Sequence, residues 1–182
     1  MKMKLLRNLF INEFCLTNFV NLDRDEKELI RRWRNSEKIR QWSYSDHVIS
    51  QEEHSAFIEK LSEDTNNYYW LVQDSDANNK NIGVISLNKI DYENKNAFLG
   101  IYTNPGIKSP GMGNLLMACL KELAFNILNI NYLKLEVIEG NVKAIDFYRQ
   151  SGFKEISKSI GHASKNGKSH NIIIMEIERD KV

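Results

Sequence analysis

Between Lys108 and Phe153 the chain gathers the residues best suited to handling an anion and a proton. Lys108-Ser109-Pro110-Gly111-Met112-Gly113 falls between a stretch with strand character and a long apolar helical stripe. Two glycines two apart at a helix N-terminus leave backbone N–H groups open, with no Cβ in the way, which suits a phosphate or pyrophosphate. Glycine also marks ordinary turns, so the loop alone leaves both readings standing. Glu136 interrupts Leu133-Lys134-Leu135-Glu136-Val137-Ile138, and strand alternation puts it on the face opposite Leu135 and Val137. A carboxylate so placed is commonly just a solvent-facing strand residue. Ser86 breaks the apolar run Gly83-Val84-Ile85-Ser86-Leu87; a serine is no strong base and suits positioning or relaying a water. Tyr148 carries a phenol that is protonated at neutral pH and can donate to a developing anion. Beside Phe147 on an amphipathic helix it also reads as a core aromatic.

Lys108-x-x-Gly111-x-Gly113, followed a helix and a strand later by Asn141-x-x-Ala144-x-x-Phe147-Tyr148 and Ser151-Gly152-Phe153, resembles the GNAT superfamily of acyl-CoA N-acetyltransferases. The resemblance implies acetyl-CoA as cosubstrate, no metal, and a mixed, mostly antiparallel α/β sheet splayed between its fourth and fifth strands and flanked by helices. It implies that the loop cradles the pyrophosphate while the Asn-to-Tyr segment flanks the pantetheine arm and thioester. The residues it assigns to the cosubstrate are Gly100, Ile101, Tyr102, Lys108, Ser109, Gly111, Met112, Gly113, Asn114, Asn141, Ala144, Phe147 and Tyr148. Tyr148 then becomes the acid beside the departing thiolate. Glu136, on a strand bordering the family's cleft, becomes the base acting through water, with Ser86 in support. Lys108 stands where Arg or Gln is usual, and Pro110 is a second departure.

In the N-terminal half, Trp33-Arg34-Asn35, Gln41-Trp42-Ser43-Tyr44, His54-x-x-Phe57, Gly83-Val84-Ile85-Ser86 and Leu99-Gly100-Ile101-Tyr102 resemble the acetyltransferases of the pseudaminic acid pathway. That family acetylates the 4-amino group of UDP-4-amino-4,6-dideoxy-N-acetyl-β-L-altrosamine, toward the pseudaminic acid used to glycosylate flagellin. The residue types suit a nucleotide sugar. Arg34 and Lys89 can meet diphosphate oxygens. Trp42, Tyr44 and Phe57 offer flat faces to uracil or a deoxy-sugar methyl. His54 can hydrogen-bond a phosphate or hydroxyl, and Asn88 and Phe98 complete the substrate set. Phe57 also reads as core on the inner face of its helix, and Trp33 as packing. Ser43 and Phe98 depart from the family, where a larger apolar residue and a Tyr can stand. An N-terminal acetyltransferase of ribosomal or other proteins, and a non-catalytic acetyl-CoA-binding module, are the alternative readings.

The elements needed to position these residues follow from pattern. Residues 25–40 read as a helix with Leu29, Ile30 and Trp33 on one face. Ser50 with Glu53 forms a capping box for a second helix turning Ala56, Phe57 and Leu61 inward. Strands are expected at 68–73, 82–90, 97–104, 132–139, 153–160 and 171–178, the last two around Lys165-Asn166-Gly167-Lys168, with an edge strand within 10–19. Leu115, Leu116, Leu120, Leu123, Ala124, Ile127 and Leu128 give the long helix its stripe. At 182 residues the chain suits a single domain over 1–182. A net charge of +1 gives no field favouring nucleic acid or an anionic membrane, and no apolar run reaches membrane-spanning length. Two distant cysteines, Cys15 and Cys119, without disulfide framework or secretion signal, suit a reducing cytoplasm. His47, His162 and His170 lack metal-ligand spacing. A monomer or homodimer is expected.

Overall fold

Hydrophobic alternation in the N-terminal half builds a sheet whose two faces are covered by different helices. In the computed structural model, which describes residues 5–44, 46–77, 80–107, 109–165 and 168–179, the expected edge strand is a hairpin of β1 (Leu9–Ile11) and β2 (Phe14–Asn18). β3 (Tyr68–Asp74), β4 (Lys80–Asp91) and β5 (Asn96–Thr103) follow in antiparallel order. β6 (Tyr132–Ile138), β7 (Lys154–Lys165) and β8 (Lys168–Glu178) complete an eight-stranded sheet in the order β1-β2-β3-β4-β5-β6-β8-β7. The turn residues Asn166 and Gly167 lie outside the described residues.

The helix expected over 25–40 is two. α1 (Arg24–Asn35) starts in a capping box from Asp23 and Glu26 and ends where Ser36 takes an extended conformation. The Ser36 hydroxyl bonds to Trp33 O at 2.6 Å, and α2 (Glu37–Arg40) restarts beyond it. α3 (Gln51–Leu61) has the Ser50/Glu53 capping box, but it buries His54, Ile58 and Leu61. Ala56 and Phe57 face outward, which corrects the expected inner face; the apolar stripe runs through i, i+4 and i+7 from His54. These helices cover the sheet face carrying Leu71 and Val84, together with Phe19, Ile30 and Trp33. α4 (Met112–Lys121), which runs on as a π-helical turn Glu122–Ile127, covers the opposite face carrying Ile85 and Leu87. Cys119 is buried there, and burial pushes its thiol up to about 11, so it stays protonated and unreactive at neutral pH.

One junction interrupts this sheet. β5 and β6 are parallel and pair through Asn96↔Tyr132, Ala97↔Leu133 and Phe98↔Lys134, after which their pairing ends. Because the first strand is a hairpin, the splay expected between the fourth and fifth strands lies between the fifth and sixth. Past this point the backbone groups of both strands are open toward whatever enters the gap.

Candidate active site

The gap opens into a cleft of about 750 Å³ that passes through the sheet. On the α1–α3 side it is lined by Arg34, Trp42, Tyr44, Ser86, Asn88, Lys89, Phe98 and Glu136; on the other side it reaches Asn141, Ala144 and Tyr148. Gly100, Ile101 and Tyr102 form its β5 wall. Sequence positions far apart are thus brought together, catalytic and substrate candidates alike, with two exceptions. His54 and Phe57 line a second cavity of about 350 Å³, beneath α1 and α3, with Phe19, Ile30, Ile49 and Glu53. Arg34, Tyr69 and Tyr102 form the wall common to both cavities. Burial, then the nearby Arg31, hold the His54 imidazole below its ordinary pKa, so it is neutral there.

Tyr148 is placed by the short motif that follows it. α5 (Val142–Gln150) starts at Asn141, whose side chain caps Ala144 N. It ends in a pair of backbone bonds, Gly152 N to Arg149 O and Phe153 N to Tyr148 O, both 3.0 Å, with Gly152 at φ +94°. This termination requires a left-handed residue, which is why glycine stands there. It folds Phe153 edge-on against the Tyr148 ring, centroids 5.9 Å apart. Ala144 and Tyr148, four apart, share the helix face that meets the cleft. Burial pushes the Tyr148 phenol up to about 12, and among the described residues its hydroxyl has no hydrogen-bond partner.

The loop before α4 fits an anion. α1 and α3 satisfy their first N–H groups with side-chain caps, whereas α4 has none. Its N-cap Gly111 sits at φ +88°, and no atom of the described residues lies within 4 Å of where a Cβ would be. The N–H groups of Met112, Gly113 and Asn114 are therefore open at the positive end of the helix dipole. The Met112 side chain is buried in the core, so it offers only its backbone. Phe147 packs over Gly113, where a Cβ would meet its ring at 3.3 Å, so this aromatic braces the loop from below. Lys108 lies outside the described residues. Gly111, the open α4 N-terminus and the β5–β6 gap together fit acetyl-CoA, an elongated ligand with an anionic pyrophosphate.

Glu136 and Ser86 are held differently from what alternation alone suggests. Glu136 does face away from Leu135 and Val137, but it is not a solvent residue: Tyr44 donates its hydroxyl to Oε2 at 2.6 Å, and Lys89 Nζ lies 3.3 Å from Oε1. Lys89 also sits 4.7 Å from the centre of the Phe98 ring. It is thus turned to a carboxylate and an aromatic rather than toward Arg34. No sequence spacing could show this, because the contact joins residues 47 apart. Arg34 donates to Ser43. Trp42, 41% exposed, packs beside Gly140 at the end of β6. Lys38, unremarked in the sequence, lines the cleft and bonds to Pro105 O at 2.7 Å, tying α2 to the loop after β5.

Ser86 is buried and accepts from Asn88 Nδ2 at 2.9 Å. Its neighbour across the ladder is Gly100, where a Cβ would fall 2.5 Å from Ser86 Oγ but 3.8 Å from Ser86 Cβ. Glycine here makes room for the serine hydroxyl. Gly100→Ala is expected to cost roughly 1–3 kcal/mol of stability by overpacking. Adding Ser86→Ala should return most of that loss, measured as thermal midpoints of the three variants. If the double variant stays as unstable as Gly100→Ala, the serine hydroxyl is not what the glycine accommodates.

Among the described residues no group of three or more His, Cys, Asp or Glu side chains is placed to hold a metal, and no helix is long and apolar enough to cross a membrane.

The Acetyltransferase (GNAT) domain family matches residues 22–174. The acetyltransferase PseH of Campylobacter jejuni subsp. jejuni serotype O:2 is 39% identical over 139 residues, covering 76% of this chain and 83% of that protein. The crystal structure of Campylobacter jejuni N-acetyltransferase PseH in complex with acetyl coenzyme A superposes with a TM-score of 0.68 at 29% identity, covering 91% of this chain and 99% of that one. Spermidine N-acetyltransferase from Vibrio cholerae, in complex with CoA and spermine, superposes with a TM-score of 0.83 at 24% identity, covering 94% and 98%; that likeness shows the fold alone.

Proposed function

The chain belongs to the GNAT acetyltransferases and is an acetyl-CoA-dependent N-acetyltransferase, and from that premise we propose that it acetylates the 4-amino group of a UDP-linked 4-amino-4,6-dideoxy sugar, UDP-4-amino-4,6-dideoxy-N-acetyl-β-L-altrosamine, in pseudaminic acid biosynthesis. The observation that carries this reading is the arrangement around Arg34. This cation lines both cavities, so a diphosphate held by it leaves the amino sugar in the main cleft and the uracil in the aromatic cavity of Phe57, Tyr69 and Tyr102. His54 then meets the nucleotide as a neutral hydrogen-bonding ring. The similarity to PseH over three quarters of the chain supports the same choice.

Acetyl-CoA supplies an activated thioester, held by the open N–H groups of α4 and by the β5 and α5 walls. The acceptor reaches the cleft as an ammonium and loses one proton to Glu136, directly or through a water relayed by Ser86. The free amine displaces the thiolate in direct transfer, without an acetyl-enzyme. Tyr148 protonates the thiolate and recovers a proton from the amide nitrogen as it forms. Glu136 returns its proton to solvent, so one proton leaves per turnover.

Arg34→Ala is expected to raise the KM for the UDP-sugar roughly 10- to 100-fold, the scale of a lost hydrogen bond to a charged group, with the KM for acetyl-CoA unchanged. Equal losses for both substrates would mean that Arg34 only packs the helix, and the diphosphate seat would have to be given up.

A further inference from the structure

The base assigned above is held by a residue from a distant part of the chain. Tyr44 lies in the connection between α2 and α3, and its hydroxyl crosses the cleft to Glu136 Oε2 at 2.6 Å, joining residues 92 apart. The two carboxylate oxygens are not held alike. Oε2 has this short bond from a phenol whose titration is pushed upward, first by burial and then by the bond to Glu136 itself, so the hydroxyl is a permanent donor at neutral pH. Oε1 has the longer contact to Lys89, whose side chain is 64% exposed. An exposed pair of that kind is weak and exchangeable.

The backbone around Lys89 supports a built arrangement. Lys89 sits at φ +50°, a left-handed conformation uncommon for a lysine. It falls where the β4–β5 register shifts between Asn88 and Asp91, and its N–H is held by Asn67 Oδ1 at 3.0 Å. Bulges of this kind re-aim side chains beside active sites; here the re-aimed ammonium points at Glu136 and Phe98.

We propose that Tyr44 is a positioning residue, fixing Glu136 through Oε2 so that Oε1 is the oxygen that exchanges its lysine for the acceptor's ammonium. This rests on the reading of Glu136 as the base, and it differs from a role for Tyr44 as a flat surface under the sugar or base. An ammonium that takes the place of Lys89 on Oε1 arrives already hydrogen-bonded to the group that deprotonates it.

The test is a double-mutant cycle of Tyr44→Phe and Glu136→Gln. It is read on the UDP-amino sugar, or on an N-terminal ribosomal peptide if the sugar is refused, so that the substrate and this role fail separately. The phenylalanine keeps the ring and removes only the hydroxyl. Tyr44→Phe alone should lower kcat about tenfold by misplacing the base, with the KM of both substrates within about twofold of wild type and an unchanged thermal midpoint. In the Glu136→Gln background the same change should cost nothing further, because a residue acting through the base has nothing left to position. Three results overturn the proposal. The Tyr44→Phe loss could persist in full in the Glu136→Gln background, or appear as a raised acceptor KM with kcat intact. Wild-type kcat in Glu136→Gln would remove the base reading and this role with it, whereas an impaired Glu136→Gln with multiplying losses would remove this role alone.

Discussion

Tyr148→Phe should lower kcat by roughly 100-fold or more, the scale of removing a positioned general acid, while the KM for acetyl-CoA stays within about twofold of wild type. The ring remains, so its contacts with Phe147 and Phe153 and the end of α5 are kept. What is lost is a hydroxyl without a partner among the described residues, in the wall of the cleft. The sign of its titration matters. Burial raises the phenol, so the protonated, donating form is complete through neutral pH, and the alkaline loss belonging to this group begins only as pH approaches 12. A proton donor with that pKa is always loaded when the thiolate leaves. Equal losses in kcat and in acetyl-CoA affinity would instead make Tyr148 a packing residue; the steady-state constants of the purified variant decide between the two.

Glu136→Gln is expected to be comparably damaging, lowering kcat roughly 100-fold at neutral pH with the fold intact. The amide has the carboxylate's shape and can still accept from Tyr44, but it cannot take a proton from an ammonium. A thermal midpoint close to wild type beside that loss would separate chemistry from bracing. If the midpoint falls while kcat holds, Glu136 is a strut that ties the α2–α3 connection to β6, and the base lies elsewhere in the cleft.

What the sequence made legible here was mostly local. The Ser50/Glu53 capping box depends on residues three apart and appears as expected; the cap at Asn141 and the glycine termination at Gly152 are equally local, and the structure adds them. The strand pattern located the sheet, while the splay came from the family resemblance and lies one strand further along because the β1–β2 hairpin adds a strand. Misreadings arose where a local pattern had two outcomes. Trp33 is followed by Ser36, which is compatible with helix, yet its hydroxyl turns back on Trp33 O and the helix breaks. Phe57 reads as apolar and therefore inward, but the helix phase is set by Ile58 and Leu61, leaving Phe57 on the rim of the second cavity. Tertiary contacts were out of reach altogether. The partners of Glu136 come from the α2–α3 connection and from a strand bulge, and neither charge pattern nor spacing links Tyr44 and Lys89 to a residue on β6. The sequence likewise offers Lys89 with Arg34 to diphosphate oxygens and gives no sign of the contacts its side chain makes with Phe98 and Glu136.

The identity of the acceptor is settled by acetyl transfer from acetyl-CoA, followed as free thiol. The purified protein would be given UDP-4-amino-4,6-dideoxy-N-acetyl-β-L-altrosamine and, separately, a ribosomal N-terminal peptide. Thiol release with the nucleotide sugar, a product heavier by one acetyl group at the 4-amino nitrogen, and no turnover of the peptide are the expected results. Turnover of the peptide with the sugar left untouched would rule out the nucleotide sugar as acceptor, keeping the chemistry of Tyr148 and Glu136 but emptying the nucleotide seat around Arg34.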